Sequence, residues 1–260
     1  MLIVVSPAKS LDYETPLATK KFTEATMLDR SAELIGLMTA KSAREIEKLM
    51  SISPSLAQLN VERYQDWHRP FTRKNARVAI LAFNGDVYMG MDAPNTFSQA
   101  DFTHAQKMLR ILSGLYGVLR PLDLMMPYRL EMGSRVENPH GKDLYAFWGS
   151  EITERLQADV HASPGAKVLV NLASNEYFGA VKPGLLDVPV VSPAFLDAKE
   201  GGDPRIVSFF AKRARGAMSG WIIRNRVKSV RKLRDFDALG YRFDPARSST
   251  TRPVFVRTAS

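Results

Sequence analysis

The pattern of apolar and polar positions along the chain predicts an alternation of strands and helices. The first five residues, Met1–Val5, form a continuous apolar run that is typical of a buried strand. An alternation of this kind predicts an α/β or α+β fold in which a mixed sheet is flanked by helices. Further strands are predicted from Lys167 ("KVLVNL"), from Val188 ("VPVVSP"), from Arg205 ("RIVSFF"), near Tyr241–Phe243 and over Val254–Arg257.

Helix starts are indicated by residues that satisfy free backbone N–H groups. Ser42 with Glu45 has the spacing of a capping box, and Ser53 followed by Pro54 is a typical first turn. The run from Ala79 to Val87 fits a helix and a strand equally well. Further helices are predicted at Met27–Leu37, from Ser98 (with Asp101 in its first turn) to about Leu112, and over Asp143–Val160.

Domain organisation follows from length and from the absence of a linker-like stretch. A chain of 260 residues is long enough to bury a substantial core. The stretch Glu200–Pro204 has the length of a turn and not of a linker between domains. We therefore predict one domain that covers residues 1–260.

Polar side chains follow three of the predicted strands, and those that follow the strand predicted from Arg205 are Lys212, Arg213 and Arg215. Ser6 and Lys9 come after the first strand, and Asn171, Ser174 and Glu176 come at or after the end of the strand that starts at Lys167. In α/β sheets, ligands bind in a crevice outside the carboxyl ends of the strands, so these residues are expected to converge on one site. The alternative is that the two serines only cap helices or close turns.

Composition excludes several classes of protein. Apolar residues make up 45% and charged residues 24% of the chain, which is ordinary globular usage. The absence of cysteine excludes disulfides, a thiol nucleophile and cysteine-ligated metal centres. The start "MLIVVSPAKS" lacks the features of a signal peptide or a spanning helix, so we expect a cytoplasmic protein with no membrane association.

The formal net charge of +9 comes from one segment of the chain. Arg205–Arg234 contains ten basic residues and no acid, and the rest of the chain is close to neutral. Within it, "AKRARGAMSGWIIRNRV" has apolar residues at helical spacing and predicts an amphipathic helix, with a second short helix opened by Ser229. Two glycines, Gly216 and Gly220, permit either close packing against this helix or the close approach of a ligand backbone. A basic segment of this kind attracts polyanions such as nucleic acid; the alternative is a solvated face that only confers solubility.

The stretch "LSGLYGVLRPLDLMMPYRLEMG", Leu112–Gly133, combines glycines, prolines and charges. Following a predicted helix, Gly114 and Gly117 predict a tight hairpin before a second helix, which is a phosphate-binding arrangement like the helix-hairpin-helix motif of DNA-binding proteins. The alternative is a glycine that ends an ordinary helix.

Candidate catalytic chemistry is present without a recognisable motif. In "PYRLEMG", strand-like alternation places Arg129 and Glu131 on one face, either as a structural ion pair or as a carboxylate held beside Arg129 and Lys9 to act as a base. No Walker loop and no GxGxxG fingerprint occurs. The alternative that the protein is an enzyme acting on a nucleotide or nucleobase stays open, but the sequence does not indicate which reaction it would catalyse. Its candidate residues are Lys9, Glu131, Asn171 and Glu176, and Lys182 and Lys212 suit a bound phosphate.

Metal chemistry has little support. The four histidines, at 68, 104, 140 and 161, show no HxxxH or HExxH spacing, and Glu-x-x-His repeats are absent. We therefore expect no metal site and no cofactor.

Six motifs together resemble the bacterial YaaA peroxide-stress family. They are "SPAK", "FNGDVY", "LSGLYGVLRPLDLMMPYRLEMG", "GKDLY", "NLASNEY" and "AKRARGAM", and they extend over nearly the whole chain. The resemblance implies a cytosolic protein that limits oxidative damage by hydrogen peroxide and restrains unincorporated iron. It also implies an unusual single-domain fold that binds double-stranded DNA through a helix-hairpin-helix element and a positively charged cleft.

On this chain, the implied DNA surface maps to Gly114–Arg120 and to Arg205–Arg234. Because such groups contact the phosphate backbone, we expect little sequence specificity and favour non-enzymatic DNA binding, with a small nucleotide as a further candidate ligand. The predicted DNA-binding residues are Gly114, Tyr116, Gly117, Arg120, Arg129, Lys182, Lys212, Arg213, Arg215, Arg224 and Arg226.

Overall fold

The computed structural model describes residues 1–198 and 202–258. The strands are β1 (Leu2–Val5), β2 (Arg77–Val78), β3 (Leu109–Ser113), β4 (Gly117–Leu119), β5 (Leu124–Met125), β6 (Leu169–Leu172), β7 (Val190–Val191), β8 (Ala194–Ala198), β9 (Arg242–Phe243) and β10 (Val254–Thr258). The helices are α1 (Leu28–Thr39), α2 (Ala43–Met50), α3 (Pro54–Asp66), α4 (Ala79–Ala82), α5 (Asp86–Met91), α6 (Ala93–Thr96), α7 (Gln99–Met108), α8 (Leu144–Trp148), α9 (Glu151–Ala162), α10 (Asn175–Phe178) and α11 (Ser208–Arg224). Short 3-10 helices lie at Pro183–Leu185, Arg231–Asp235, Ala238–Gly240 and Pro245–Arg247.

The main sheet has five strands in the order β4-β3-β1-β6-β7. Its central strand, β1, pairs in parallel with β3 on one side and with β6 on the other, while β4 runs antiparallel to β3 at the edge. All four residues of β1 are fully buried, as expected for a parallel strand that is covered on both faces. Smaller sheets have the orders β8-β10-β9 and β2-β5. The predicted α/β fold with a mixed sheet and flanking helices is therefore confirmed.

Helix starts are the best-predicted local features. The Ser42 hydroxyl accepts a hydrogen bond from the Glu45 N–H while the Glu45 carboxylate accepts one from the Ser42 N–H, which completes the predicted capping box. Ser53 caps α3, with Pro54 in its first turn, as predicted. Ser98 caps α7 through the same reciprocal arrangement with Asp101. No helix of the described residues is long and apolar enough to cross a membrane.

Three predicted elements are wrong in extent or type. The helix from Ser98 ends at Met108, and the next five residues form β3. The helix predicted over Asp143–Val160 is two helices separated at Gly149, whose positive φ of 52° ends α8. The strand predicted from Arg205 is limited to one bridge between Arg205 and Asp197, because α11 already begins at Ser208. Part of the predicted Glu200–Pro204 turn lies outside the described residues.

The amphipathic pattern predicted a helix with one buried face, and helix α11 is buried more deeply than that pattern indicated. Its apolar stripe is buried, and so are both of its glycines. A Cβ at Gly216 would overlap the carbonyl oxygen of Val87, and one at Gly220 would lie 2.7 Å from the carbonyl oxygen of Met91. The two glycines thus let α11 pack directly on the backbone of α5, which confirms that they permit close packing against this helix.

The predicted helix-hairpin-helix element is wrong, because the chain forms a β-hairpin there. Strands β3 and β4 pair antiparallel, and Gly114 and Gly117 lie in or beside the turn between them. Gly117 has a φ of +64°, and a Cβ on it would lie 2.9 Å from the ring of Trp148, which itself donates a hydrogen bond to the Gly114 carbonyl at 3.0 Å. These glycines therefore serve packing inside the core and expose no backbone to a phosphate.

Candidate functional site

The order of the strands creates a crevice at the carboxyl ends of β1 and β6. From β1 the sheet continues through β3 to β4 on one side, and from β6 it continues to β7 on the other. Ligands of open α/β sheets bind at such a reversal of strand order. Ser6 and Ser174, which follow the two strands, meet there: the Ser6 hydroxyl lies 3.2 Å from the Ser174 hydroxyl and accepts a hydrogen bond of 2.8 Å from the Ser174 N–H.

This crevice opens into a cleft of about 440 Å³, lined by five segments that are far apart in the sequence. The predicted convergence of residues at the strand ends is therefore what the structure shows. The polar residues of its lining include Ser6, Lys9, Ser10, Asn84, Asp86, Tyr88, Glu131, Ser174, Glu176, Lys212 and Arg215.

The loop after β1 is fixed against the loop before α5. The Asn84 N–H donates to the Ser10 carbonyl at 3.0 Å, and the buried Tyr88 hydroxyl donates to the Ser6 carbonyl at 3.1 Å. Burial raises the pKa of Tyr88 well above its usual value, so this hydroxyl stays protonated and keeps its donor role. The floor of the cleft is thus held by backbone contacts, and the side chains of Ser10 and Asn84 line it.

One wall of the cleft carries carboxylates. Lys9 Nζ lies 2.6 Å from Glu131 Oε2, and an Arg129 guanidinium nitrogen lies 3.1 Å from Glu131 Oε1. Both contacts considered for Glu131 from the sequence are present, although residues 127–130 form no strand. Glu176 joins the same wall, because its Oε1 accepts a hydrogen bond of 3.0 Å from the Gly133 N–H.

The opposite wall is formed by the starts of α5 and α11. Lys212 and Arg215 of α11 line the cleft, and among the described residues no carboxylate oxygen lies within 4 Å of their side-chain nitrogens. Arg215 is partly buried, and this burial lowers the pKa of its guanidinium. An arginine remains protonated even so, and the cleft therefore contains a partly desolvated positive charge.

Several residues predicted to bind DNA are engaged elsewhere. Tyr116 is 1% exposed and its hydroxyl contacts Trp67 and Met126. The Arg120 guanidinium pairs at 2.8 Å with Asp123, which is fully buried. Gly114 and Gly117 are buried as well. Arg129 pairs with Glu131, and Arg226 pairs with Asp101 at 2.6 Å.

The catalytic candidate Asn171 does not line the cleft. Its side-chain oxygen accepts a hydrogen bond of 3.0 Å from the Ala173 N–H, and its amide nitrogen donates to the Ser192 hydroxyl at 3.3 Å. Asn171 therefore stabilises the turn after β6 and connects it to Ser192, the residue that follows β7. By contrast, Lys9, Glu131 and Glu176 all lie in the cleft.

Most of the basic segment Arg205–Arg234 stays on the surface. Arg213 and Arg224 are exposed, and their spacing of three helical turns places them on the same side of α11, about 16 Å apart along its axis. In the described part of the chain, neither has a carboxylate within 4 Å. Lys182 is exposed as well. Further exposed cations of the segment are Arg205, Lys212, Lys228, Arg231, Lys232 and Arg234.

Comparison with known protein families identifies the chain. The family model described as peroxide stress protein YaaA matches residues 1–247. The chain belongs to the YaaA family. The predicted family is thereby confirmed, and a role in the peroxide stress response follows from it.

The YaaA-family cleft includes residues that the sequence did not assign to a site. Asn84, Asp86 and Tyr88 belong to the motif "FNGDVY", which contributed to the family resemblance but was not assigned to a site. Arg215, by contrast, was expected both in the crevice at the strand ends and on the DNA surface, and it lines the cleft. Among residues 1–198 and 202–258, no group of three or more His, Cys, Asp or Glu side chains is arranged to hold a metal ion.

Proposed function

We propose that this YaaA-family protein acts in the peroxide stress response by binding double-stranded DNA through its phosphate backbone, with little sequence specificity. The observation that carries the proposal is the basic segment: ten cations and no acid in Arg205–Arg234, eight of them exposed. Such a surface binds DNA by displacing condensed counterions, which needs no base contacts. The helix-hairpin-helix element has no part in the proposal.

Arg213 and Arg224 are the residues that best test this surface, because both are exposed and neither lines the cleft. Replacing both with alanine is expected to weaken duplex DNA binding and to reduce the slope of log K against log salt by about two units. The measurement is fluorescence anisotropy of labelled duplex DNA across a series of salt concentrations.

A matched control removes two positive charges from a part of the surface outside the basic segment. Arg73 and Lys74 are exposed residues that lie outside the basic segment. Their replacement by alanine lowers the net charge equally but is expected to leave the salt slope nearly unchanged. If both double variants lost affinity and slope to the same extent, net charge alone would account for binding and the proposed surface would be wrong.

DNA binding also provides the proposed route to protection against damage by iron and peroxide. A protein bound along the phosphate backbone competes with ferrous ions for the same anionic groups, where iron would otherwise react with peroxide. The test is nicking of supercoiled plasmid by ferrous iron and hydrogen peroxide, with the wild-type protein and with the Arg213→Ala, Arg224→Ala variant. Protection is expected only from the wild type; equal protection by the variant would contradict this route.

A further inference from the structure

The strongest unassigned feature of the molecule is the pair of cations on the α11 wall of the cleft. Lys212 and Arg215 are three residues apart on one helix, so their Cβ atoms lie about 5–6 Å from each other on the same side. In the part of the chain that the structure describes, neither is within 4 Å of a carboxylate oxygen. Desolvating a guanidinium is costly unless an anion compensates it. The missing anion is therefore expected to come from a ligand.

The anion that suits this pair is a phosphate. A guanidinium binds two phosphate oxygens side by side, and an ammonium adds a third contact as a point charge. A phosphate monoester carries close to two negative charges at neutral pH, which matches one arginine and one lysine. A carboxylate carries only one charge and two oxygens and leaves one of the cations uncompensated.

The rest of the cleft offers several hydrogen-bond acceptors: Glu131, Glu176 and Asp86 line it. Lys9 lines it as well, but it is already paired with Glu131 at 2.6 Å. Carboxylates accept hydrogen bonds from hydroxyl or amino groups. The hydroxyls of Ser6 and Ser174, 3.2 Å apart, also line the cleft. Together these groups suit a molecule that carries hydroxyl or amino groups in addition to its phosphate.

The size of the cleft limits the ligand to one small molecule. A volume of about 440 Å³ lies within the range of small-molecule sites and is far too small for a DNA duplex. We propose that the cleft binds a free phosphate monoester of a hydroxylated small molecule, in the size range of a sugar phosphate or a nucleoside monophosphate. This site shares Lys212 with the exposed cations that are proposed to bind DNA, but its partly buried Arg215 is not one of them, and phosphate binding does not require the remaining cations.

The test compares phosphorylated and unphosphorylated partners by isothermal titration calorimetry in a buffer without phosphate. The probes are adenosine 5′-monophosphate against adenosine and ribose 5-phosphate against ribose. We expect at least one phosphate ester to bind about tenfold or more tightly than its unphosphorylated partner, because the charge-assisted bonds to Lys212 and Arg215 are absent from that partner.

The variants assign the phosphate to α11. Arg215→Ala is expected to weaken ester binding about tenfold or more, and the control Arg73→Ala is expected to leave it unchanged. Because Arg215 is partly buried, Lys212→Ala, whose side chain is exposed, provides a second variant that does not disturb packing. Loss of ester binding in either variant that retains the wild-type circular dichroism spectrum supports the site.

Two results would overturn the proposal. One is that neither ester binds better than its unphosphorylated partner. The other is that Arg215→Ala and Lys212→Ala both fold and bind the ester as the wild type does, which would place the phosphate elsewhere. The titration contains no DNA, so its failure leaves the DNA-binding proposal intact, and a failed DNA titration leaves this site intact.

Discussion

Replacing Gly216 with alanine is expected to lower the free energy of unfolding by about 3 kcal/mol, because the new methyl group has no space. Its Cβ would overlap the carbonyl oxygen of Val87, and it would also come within 2.9 Å of the Met91 amide nitrogen. Both are backbone atoms, which cannot rotate away as a side chain can. Relief requires α11 to move off α5, and since the cleft lies between these helices and the Glu131 wall, the same movement displaces Arg215.

Chemical denaturation followed by far-ultraviolet circular dichroism measures this loss. The matched control is Gly36→Ala in α1, where the exposed glycine has nothing within 4 Å of the new Cβ. Alanine is the better helix former, so the control is expected to stabilise the protein by about 0.5–1 kcal/mol. An unchanged unfolding free energy for Gly216→Ala would mean that the helix pair is not tightly packed there.

Replacing Asp159 with asparagine is expected to destabilise the protein by about 3–5 kcal/mol, because it leaves a buried guanidinium without its anion. Arg110 lies in β3 with its side chain 6% exposed, and its Nε is 2.6 Å from Asp159 Oδ2. Arg155 approaches the same oxygen at 3.0 Å. Asparagine conserves the shape of the side chain but not its charge, so the effect reports the ion pair and not a cavity.

The ion pair also predicts a pH dependence. Burial disfavours the charged form of Asp159, but the hydrogen bond and positive charge of Arg110, assisted by Arg155, outweigh it and hold the pKa below its ordinary value of 3.8. A lowered pKa means that the unfolded chain takes up the proton first as the pH falls. The stabilisation is therefore present above the ordinary pKa and is lost as acid protonates the folded form.

Urea denaturation of the wild type and Asp159→Asn at neutral pH and at increasingly acidic pH tests this. The difference between the two proteins is expected to be largest at neutral pH and to shrink at the acid end. The control is Asp187→Asn, which removes an exposed partner of His161 and is expected to leave the unfolding midpoint unchanged. A difference that stayed constant down to strongly acidic pH would exclude the charge as its cause.

Local signals in the sequence predicted the helix starts correctly, because the groups that decide them are three residues apart. Ser42 and Glu45 satisfy each other's backbone without help from the rest of the fold. The boundary at Met108 was missed for the opposite reason. The residues after it become a strand through pairing with β1, where Arg110 lies opposite Val4, and no nearby residue marks that change.

The sequence was sufficient to predict the part of the candidate site that follows the strands of the main sheet. Ser6, Ser174 and Glu176 were placed together from their position after parallel strands, and all three line the cleft. Arg215 was expected there as well, but as a residue that follows a strand. It lies instead in helix α11, and it reaches the cleft because α11 packs on α5. The glycines of the Leu112–Gly133 stretch were misassigned because packing against Trp148 and binding of a phosphate require the same small residue.

The position of β1 at the centre of the sheet has a consequence for the order in which the chain folds. This strand is synthesised before both of its partners: the whole of α1–α7 separates it from β3, and β6 begins only at Leu169. Pairings between such distant segments form slowly. During translation, the apolar run Met1–Val5 is therefore without any partner strand until Ser113 has left the ribosome, and it lacks its second partner until Leu172 has done so, which leaves it exposed to aggregation in that interval.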